Sequence, residues 1–313
     1  MDGLDVPDRK VRLREVGLRD GLQSIAQVMP TAEKLAWIDA EFAAGVREIE
    51  VCSFVPARLM PQFADAAEVV RHALGIEGLT VAALVPNARG AQDALRLGAH
   101  KLNYVISASE SHNRANVRRS REESLAGFRE VARLAAGTGT VLAGGVSTAF
   151  GCTIEGPVAA DEVLRLVDGY LAAGAREIVL ADTVGYAAPN AIRSLVRRAR
   201  AVAGEIPIAL HLHDTRGLGL ANVAAGLEEG IREFDAALGG MGGCPHAPGA
   251  SGNIVSEDLV FLLQALGFDT GIELPSLVAV RDILARALPE VSLLGAIAKA
   301  GLPRGFAPPS VSH

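Results

Sequence analysis

One phrase recurs along this chain. It reads A-A-G-V-R-E-I-E-V from Ala43, L-G-A-H-K-L-N-Y-V from Leu97, A-A-G-A-R-E-I-V-L from Ala172 and E-E-G-I-R-E-F-D-A from Glu228. Each copy ends a helical pattern on a glycine and continues into a short β-run. The glycine is a helix C′ residue that takes positive φ, after which the chain enters a buried strand. Helices handing over to strands in this way imply βαβ units and a parallel sheet. Eight candidate strands follow: Val11–Val16, Glu48–Phe54, Thr80–Val85, Lys101–Ser107, Val141–Thr148, Glu177–Asp182, Ile208–Asp214 and Phe234–Leu238. Eight βα units close into a (β/α)8 TIM barrel, so the expected class is α/β with a barrel. An open doubly wound sheet is the competing arrangement, but no G-x-G-x-x-G follows the first strand.

Amphipathic helical spacing fills the gaps, as in Ala32–Ala44, Ala64–Leu74, Arg121–Ala136, Ala160–Ala173 and Asn190–Ala203, with Ser256–Leu266 as the eighth helix. Pro275–Leu288 reads as an extra helix. We therefore expect a catalytic barrel over residues 1–270 and a short C-terminal helical extension and tail over 271–313 of the same domain. Arg118, Arg119 and Arg121 form a basic cluster read as a solvated helix start.

Composition narrows the function classes. At 313 residues and 50% hydrophobic the chain can bury a large core, and its net charge of −6 gives no electrostatic footprint for nucleic acid. Cys52, Cys152 and Cys244 cannot build a disulfide framework and fit a reducing compartment. The first ten residues carry neither an apolar signal core nor an amphipathic presequence, and no apolar run suits a membrane span. A soluble cytoplasmic protein is expected.

Active sites of such barrels form at the C-terminal ends of the strands. That filter selects Glu15, Arg19, Asp20 and Gln23 after strand one, and Glu50 and Ser53 at the end of strand two. It also selects Asp182 on strand six, His211 and His213 on strand seven, and the loop Gly239–Asn253 after strand eight. Residues two apart on a strand leave the same face, so the two imidazoles emerge together. They could hold one divalent ion with Asp20 and the Asn253 amide oxygen, a mixed N/O shell suited to octahedral Mg²⁺ or Mn²⁺. Otherwise they are rim histidines satisfied by hydrogen bonds, and Asp20 is a turn residue before Gly21. Arg19 beside such a centre would stabilise an enolate oxygen, or would form an ion pair with Glu50 or Asp182. Cys244 sits in a glycine-rich loop, where a titratable thiol on a lid is the functional reading and an inert turn cysteine the plain one.

Three segments together, V-G-L-R-D-G-L-Q from Val16, L-H-L-H-D-T from Leu210 and G-G-C-P-H-A-P-G-A-S-G-N from Gly242, resemble the 3-hydroxy-3-methylglutaryl-CoA lyase family of metal-dependent barrel lyases. The likeness runs from about Val11 to Gly271. It implies metal ligation by Asp20, His211, His213 and Asn253, with Mg²⁺ or Mn²⁺ as cofactor. It implies that Arg19 steadies the enolate, that Cys244 transfers a proton, and that Glu50, Asp182 and Gln23 support the site. It also implies an acyl-CoA substrate and a homodimer.

The resemblance implies a retro-aldol cleavage. Asp20 or His211 takes the hydroxyl proton, the carbon–carbon bond breaks, and Cys244 protonates the acetyl-CoA enolate. With 3-hydroxy-3-methylglutaryl-CoA the products are acetoacetate and acetyl-CoA. The sequence departs from the family pattern at several places. Leu18 replaces a usual proline, Ser24-Ile25 an Asn-Glu pair and His246 a tyrosine, and Ala143 and Gly145 stand where an arginine and a tyrosine are common. The strand-five change leaves the acyl group open and makes citramalyl-CoA, giving pyruvate, the close alternative. From another class, the chain could be a catalytically inactive metal-binding barrel.

Overall fold

The structure is a computed structural model that describes residues 9–243 and 252–306. Its core is a closed, all-parallel barrel of eight strands in sequence order: β1 (Arg12–Glu15), β2 (Glu48–Ser53), β3 (Thr80–Leu84), β4 (Lys101–Ser107), β5 (Val141–Ser147), β6 (Glu177–Asp182), β7 (Ile208–Leu212) and β8 (Glu233–Ala236). β8 returns to β1 with Leu13 opposite Phe234 and Arg14 opposite Asp235. The helices α1 (Thr31–Ala43), α2 (Ala66–Leu74), α3 (Ala88–Leu97), α4 (Glu110–Val117), α5 (Arg121–Ala135), α6 (Ala160–Ala172), α7 (Pro189–Ala203), α8 (Gly219–Glu228) and α9 (Ser256–Ala265) lie between and after the strands. α10 (Leu274–Ala287) packs on α1 and ties the Glu273 N–H to the Ala44 carbonyl at 2.8 Å, and the short α11 (Ala296–Ala300) packs on α9. No helix among the described residues is long and apolar enough to cross a membrane.

The apolar core lies outside the barrel, between sheet and helices. Trp37, Ile49, Phe128, Tyr170, Leu180 and Phe234 are fully buried there. Each such side chain contributes about 1.5–3 kcal/mol by leaving water. Tyr170 packs edge-on to Phe128 with ring centroids 4.7 Å apart, and it stands where Gly144 leaves no side chain on β5.

The barrel interior is instead charged, and the recurrent phrase explains how. Three residues after each phrase glycine come Glu48, Lys101, Glu177 and Glu233, and five residues after it come Glu50, Asn103, Val179 and Asp235. Strand alternation points both sets the same way, and barrels fill their interior with layers of four from alternate strands. Lys101 bonds both Glu48 and Glu177, and Arg14 bonds Glu177 and Asp235. β1 and β6 are not neighbours in the sheet, so the Arg14–Glu177 bond crosses the interior. Charges removed from water this completely persist only when each has a partner, and here the signs alternate.

Candidate active site and metal centre

The segment after β1 does not form an ordinary turn. Gly17–Gly21 winds as a single π-helical turn, with the Asp20 and Gly21 N–H groups both directed to the Val16 carbonyl. Such turns are rare and concentrate at functional sites. Here the turn carries Arg19 and Asp20 over the barrel mouth. Gly17 permits it, because a side chain there would strike Glu15 and Trp37. β7 reaches the same place from the other side of the closure. Its ladder ends at Leu212, one residue short of His213, and His213 instead forms an isolated antiparallel bridge with Asn253.

Asp20, His211 and His213 converge so that one ligand atom of each lies within 4.8 Å of the others. The two Nε2 atoms are 3.0 Å apart, and His213 Nε2 lies 3.7 Å from Asp20 Oδ2. Neighbouring ligands of an octahedral ion with bonds of about 2.1 Å lie about 3 Å from one another, so this spacing suits such an ion. Asn253 stands beside this group. Its Nδ2 donates to Asp20 Oδ2 at 2.8 Å and to the Met241 carbonyl, while its Oδ1 is buried with no hydrogen-bond partner. A buried amide oxygen without a donor is costly unless a cation takes it up. Two imidazoles and a carboxylate form a mixed N/O donor set for a divalent cation. Gly242 allows the approach: at φ +130° it leaves open the space where a Cβ would sit against Asn253 Nδ2 and 3.1 Å from Asp20 Oδ2.

The electrostatics follow from these contacts. Burial opposes the charged form of Asp20, but Arg19, His213 and His211 outweigh it and hold the carboxyl far below the usual range. Burial also opposes charge on His211, yet its bond to Asp235 raises the imidazole above its ordinary value. Arg19 donates from Nε to Glu50 and from Nη1 to Asp20, which answers the sequence alternative: its partner is Glu50, not Asp182. Glu50 also accepts from Asn103 Nδ2 at 2.8 Å.

The remaining candidates fall elsewhere. Asp182 accepts the Tyr186 and Ala187 N–H groups at 2.8 and 3.0 Å and shapes its own loop, and burial raises its pKa. Gln23 is half-buried and makes no hydrogen bond to the cluster. The hydroxyl of Ser53 is buried without a partner among the described residues. Glu15, expected at the mouth, points out of the barrel. Its Oε1 accepts the Gly17 and Leu238 N–H groups and its Oε2 the Ser256 hydroxyl, so it pins the end of β1 to the segment after β8 and to α9. Strand alternation places it so: Arg14 faces in, and its neighbour must face out. Cys244 lies outside the described residues. Arg121, read as part of a solvated helix start, pairs with Glu110 and Glu162. Asp235, Asn103 and Arg14 were not singled out from sequence. Their positions after the phrase glycines, or in register with such positions, are the signal that would have found them.

A parallel eight-stranded barrel with a carboxylate and two imidazoles focused at its C-terminal mouth defines a (β/α)8 enzyme with a candidate metal centre. A model of the HMGL-like family matches residues 10–284, and the chain belongs to that family. It is 38% identical over 289 residues to the hydroxymethylglutaryl-CoA lyase YngG of Bacillus subtilis, covering 91% of this chain and 97% of that protein. It is 40% identical over 288 residues to the (R)-citramalyl-CoA lyase of Chloroflexus aurantiacus, covering 89% and 91%. The structure of an HMG-CoA lyase from Acinetobacter baumannii, in complex with coenzyme A and 3-methylmalate, superposes with a TM-score of 0.91 at 39% identity, covering 97% of this chain and 99% of that one.

Proposed function

We propose that this chain is a divalent-cation-dependent carbon–carbon lyase that cleaves 3-hydroxy-3-methylglutaryl-CoA to acetoacetate and acetyl-CoA. The observation that carries the reading is the convergence of Asp20, His211 and His213 at the barrel mouth, with Arg19 held beside them. Asp20, His211, His213 and the Asn253 amide oxygen would hold the cation, which when bound supplies Lewis-acid polarisation of the substrate hydroxyl and carbonyl oxygens.

The chain's own residues then have distinct tasks. Asp20 or His211 takes the proton of the tertiary hydroxyl as the adjacent carbon–carbon bond breaks. The electrons of that bond pass to the acetyl-CoA fragment as an enolate, and the hydroxyl carbon leaves as a ketone. Arg19 faces the developing oxyanion with a charge that water cannot screen, a placement worth more here than in solvent. Glu50 and Asn103 hold Arg19 in that pose. Cys244 delivers a proton to the enolate carbon. The reading includes Gln23 and Asp182 as supports and a cytoplasmic homodimer as the assembly.

A second substrate has a specific observation in its favour. β5 presents Val141, Ala143, Gly145 and Ser147 toward the interior, opposite Lys101, Asn103, Val105 and Ser107 of β4, and so itself offers no cation to a distal carboxylate. Citramalyl-CoA carries its carboxylate on the hydroxyl carbon itself and needs no such group. Purified protein incubated with each thioester, with and without chelator, separates the readings. Acetoacetate release that is lost with chelator supports the first, pyruvate release the second. A protein that binds the cation and cleaves neither is an inactive barrel.

A further inference from the structure

β8 carries a carboxylate that the chemistry above does not use. Asp235 is buried, its side chain 7% exposed, and its two oxygens are engaged in opposite directions. Oδ1 accepts from Arg14 Nε at 2.6 Å, and Oδ2 meets His211 Nδ1 at 3.0 Å. Arg14 is buried too, and it continues through Glu177 and Lys101 to Glu48. A line of alternating charges therefore runs from the barrel interior to one ring of the cluster. A carboxylate beside a guanidinium is ionised and can only accept. The His211 nitrogen facing it must carry the hydrogen, which leaves the lone pair on Nε2, the atom 3.0 Å from His213 Nε2. His213 has no such support, because its Nδ1 is buried without a partner among the described residues.

We propose that Asp235 is a positioning residue for the metal centre: it locks His211 in the tautomer and orientation that aim the Nε2 lone pair at Asp20 and His213, and Arg14 fixes Asp235 for that task. The inference rests on the metal reading of the site. A residue of this kind acts through its neighbour, and its loss typically weakens metal binding about 10–100-fold. The isosteric change is the sharp test. In Asp235→Asn, Arg14 still claims an acceptor, so the amide turns its oxygen to Arg14 and its NH₂ to His211. His211 Nδ1 must then accept, and the hydrogen moves to Nε2, where it blocks a ligand bond. A purely structural ion pair predicts the reverse order, with Asn mild and Ala severe.

The experiment is calorimetric titration of Mn²⁺ into the full chain as wild type, Asp235→Asn and Asp235→Ala. It is paired with ¹⁵N spectra of histidine-labelled, metal-free protein, recorded at a pH raised until the His211 ring is neutral and assigned through His211→Gln. We expect one tight Mn²⁺ site and an Nδ1–H tautomer for His211 in the wild type, and an Nε2–H tautomer with Mn²⁺ affinity at least about 10-fold weaker in Asp235→Asn. Wild-type affinity in Asp235→Asn, or an Nε2–H tautomer in the wild type, overturns the proposal. The wild-type spectrum decides even if the variants do not fold. A wild type that binds no Mn²⁺ removes the metal reading itself, a result distinct from a wild type and variant that bind alike.

Discussion

The Nε2 atoms of His211 and His213 lie 3.0 Å apart, although the two residues sit on opposite sides of the end of the β7 ladder. His211 is fixed by the ladder and by Asp235, whereas His213 is fixed by its bridge to Asn253. The centre is thus assembled from β1, β7 and the segment after β8, three pieces that only barrel closure brings together.

Asp20 is the one carboxylate in that assembly. Asp20→Asn keeps its shape and removes its charge. We expect Mn²⁺ affinity, read by calorimetry, to fall by more than the roughly 10–100-fold typical of a supporting residue, and turnover to fall with it. Unchanged affinity would show that the cation binds elsewhere.

Arg19 touches Asp20 but is not a ligand. Arg19→Gln should keep one bound Mn²⁺ per chain, measured by elemental analysis, and lower kcat on the preferred thioester by about 10²–10³-fold, as removal of one oxyanion donor does. Near-wild-type kcat would remove Arg19 from the chemistry.

Gly242 stands at φ +130°, in a region L side chains avoid, with Asn253 and Asp20 where its Cβ would be. Gly242→Ala should lower the melting temperature, at a cost of about 1–3 kcal/mol for the strained backbone, and should weaken Mn²⁺ binding as Asn253 is displaced. Full metal affinity in a folded Gly242→Ala protein would contradict the packing described.

Glu15 supplies a pH dependence remote from the ligands. Burial is the largest influence on it and raises its pKa to about 8 from the ordinary 4.5, against three hydrogen bonds that lower it. Between those values the folded chain holds a proton that the unfolded chain has released. The stability it confers is complete below the unfolded value and is lost as pH rises through about 8. Melting temperature should therefore fall from pH 5 to pH 8. Glu15→Gln, which can still accept both N–H groups and can donate to Ser256, should flatten that slope. Equal slopes in the two proteins would show that Glu15 is ionised throughout.

Ser120 offers a control far from the chemistry. Its hydroxyl accepts the Glu123 N–H at 3.1 Å, and Glu123 accepts the Ser120 N–H at 2.7 Å, a reciprocal cap on α5. Ser120→Ala should cost about 1 kcal/mol in chemical denaturation and leave kcat/KM unchanged. A loss of activity without a loss of stability would assign α5 a role that the cap does not explain.

Much of this architecture was legible in the sequence because its causes are local. A glycine that ends a helix and a β-run that follows it need only their neighbours, and eight such units have a closed sheet as their natural solution. The shared face of His211 and His213 also follows from strand geometry alone. Other features depended on which surface closure places opposite which. Alternation put Glu15 outside the barrel and Arg14 inside it, but no local rule told which face was which. Asp235 read as one more polar residue until β8 came into register with His211. The π-turn at Arg19 and Asp20 and the bridge between His213 and Asn253 are likewise products of packing. Hydrophobic periodicity and helix-ending glycines along the chain determined the elements, whereas the charge partners that make the mouth a site were decided only across the barrel, where residues far apart in sequence are forced to share space from which water is excluded.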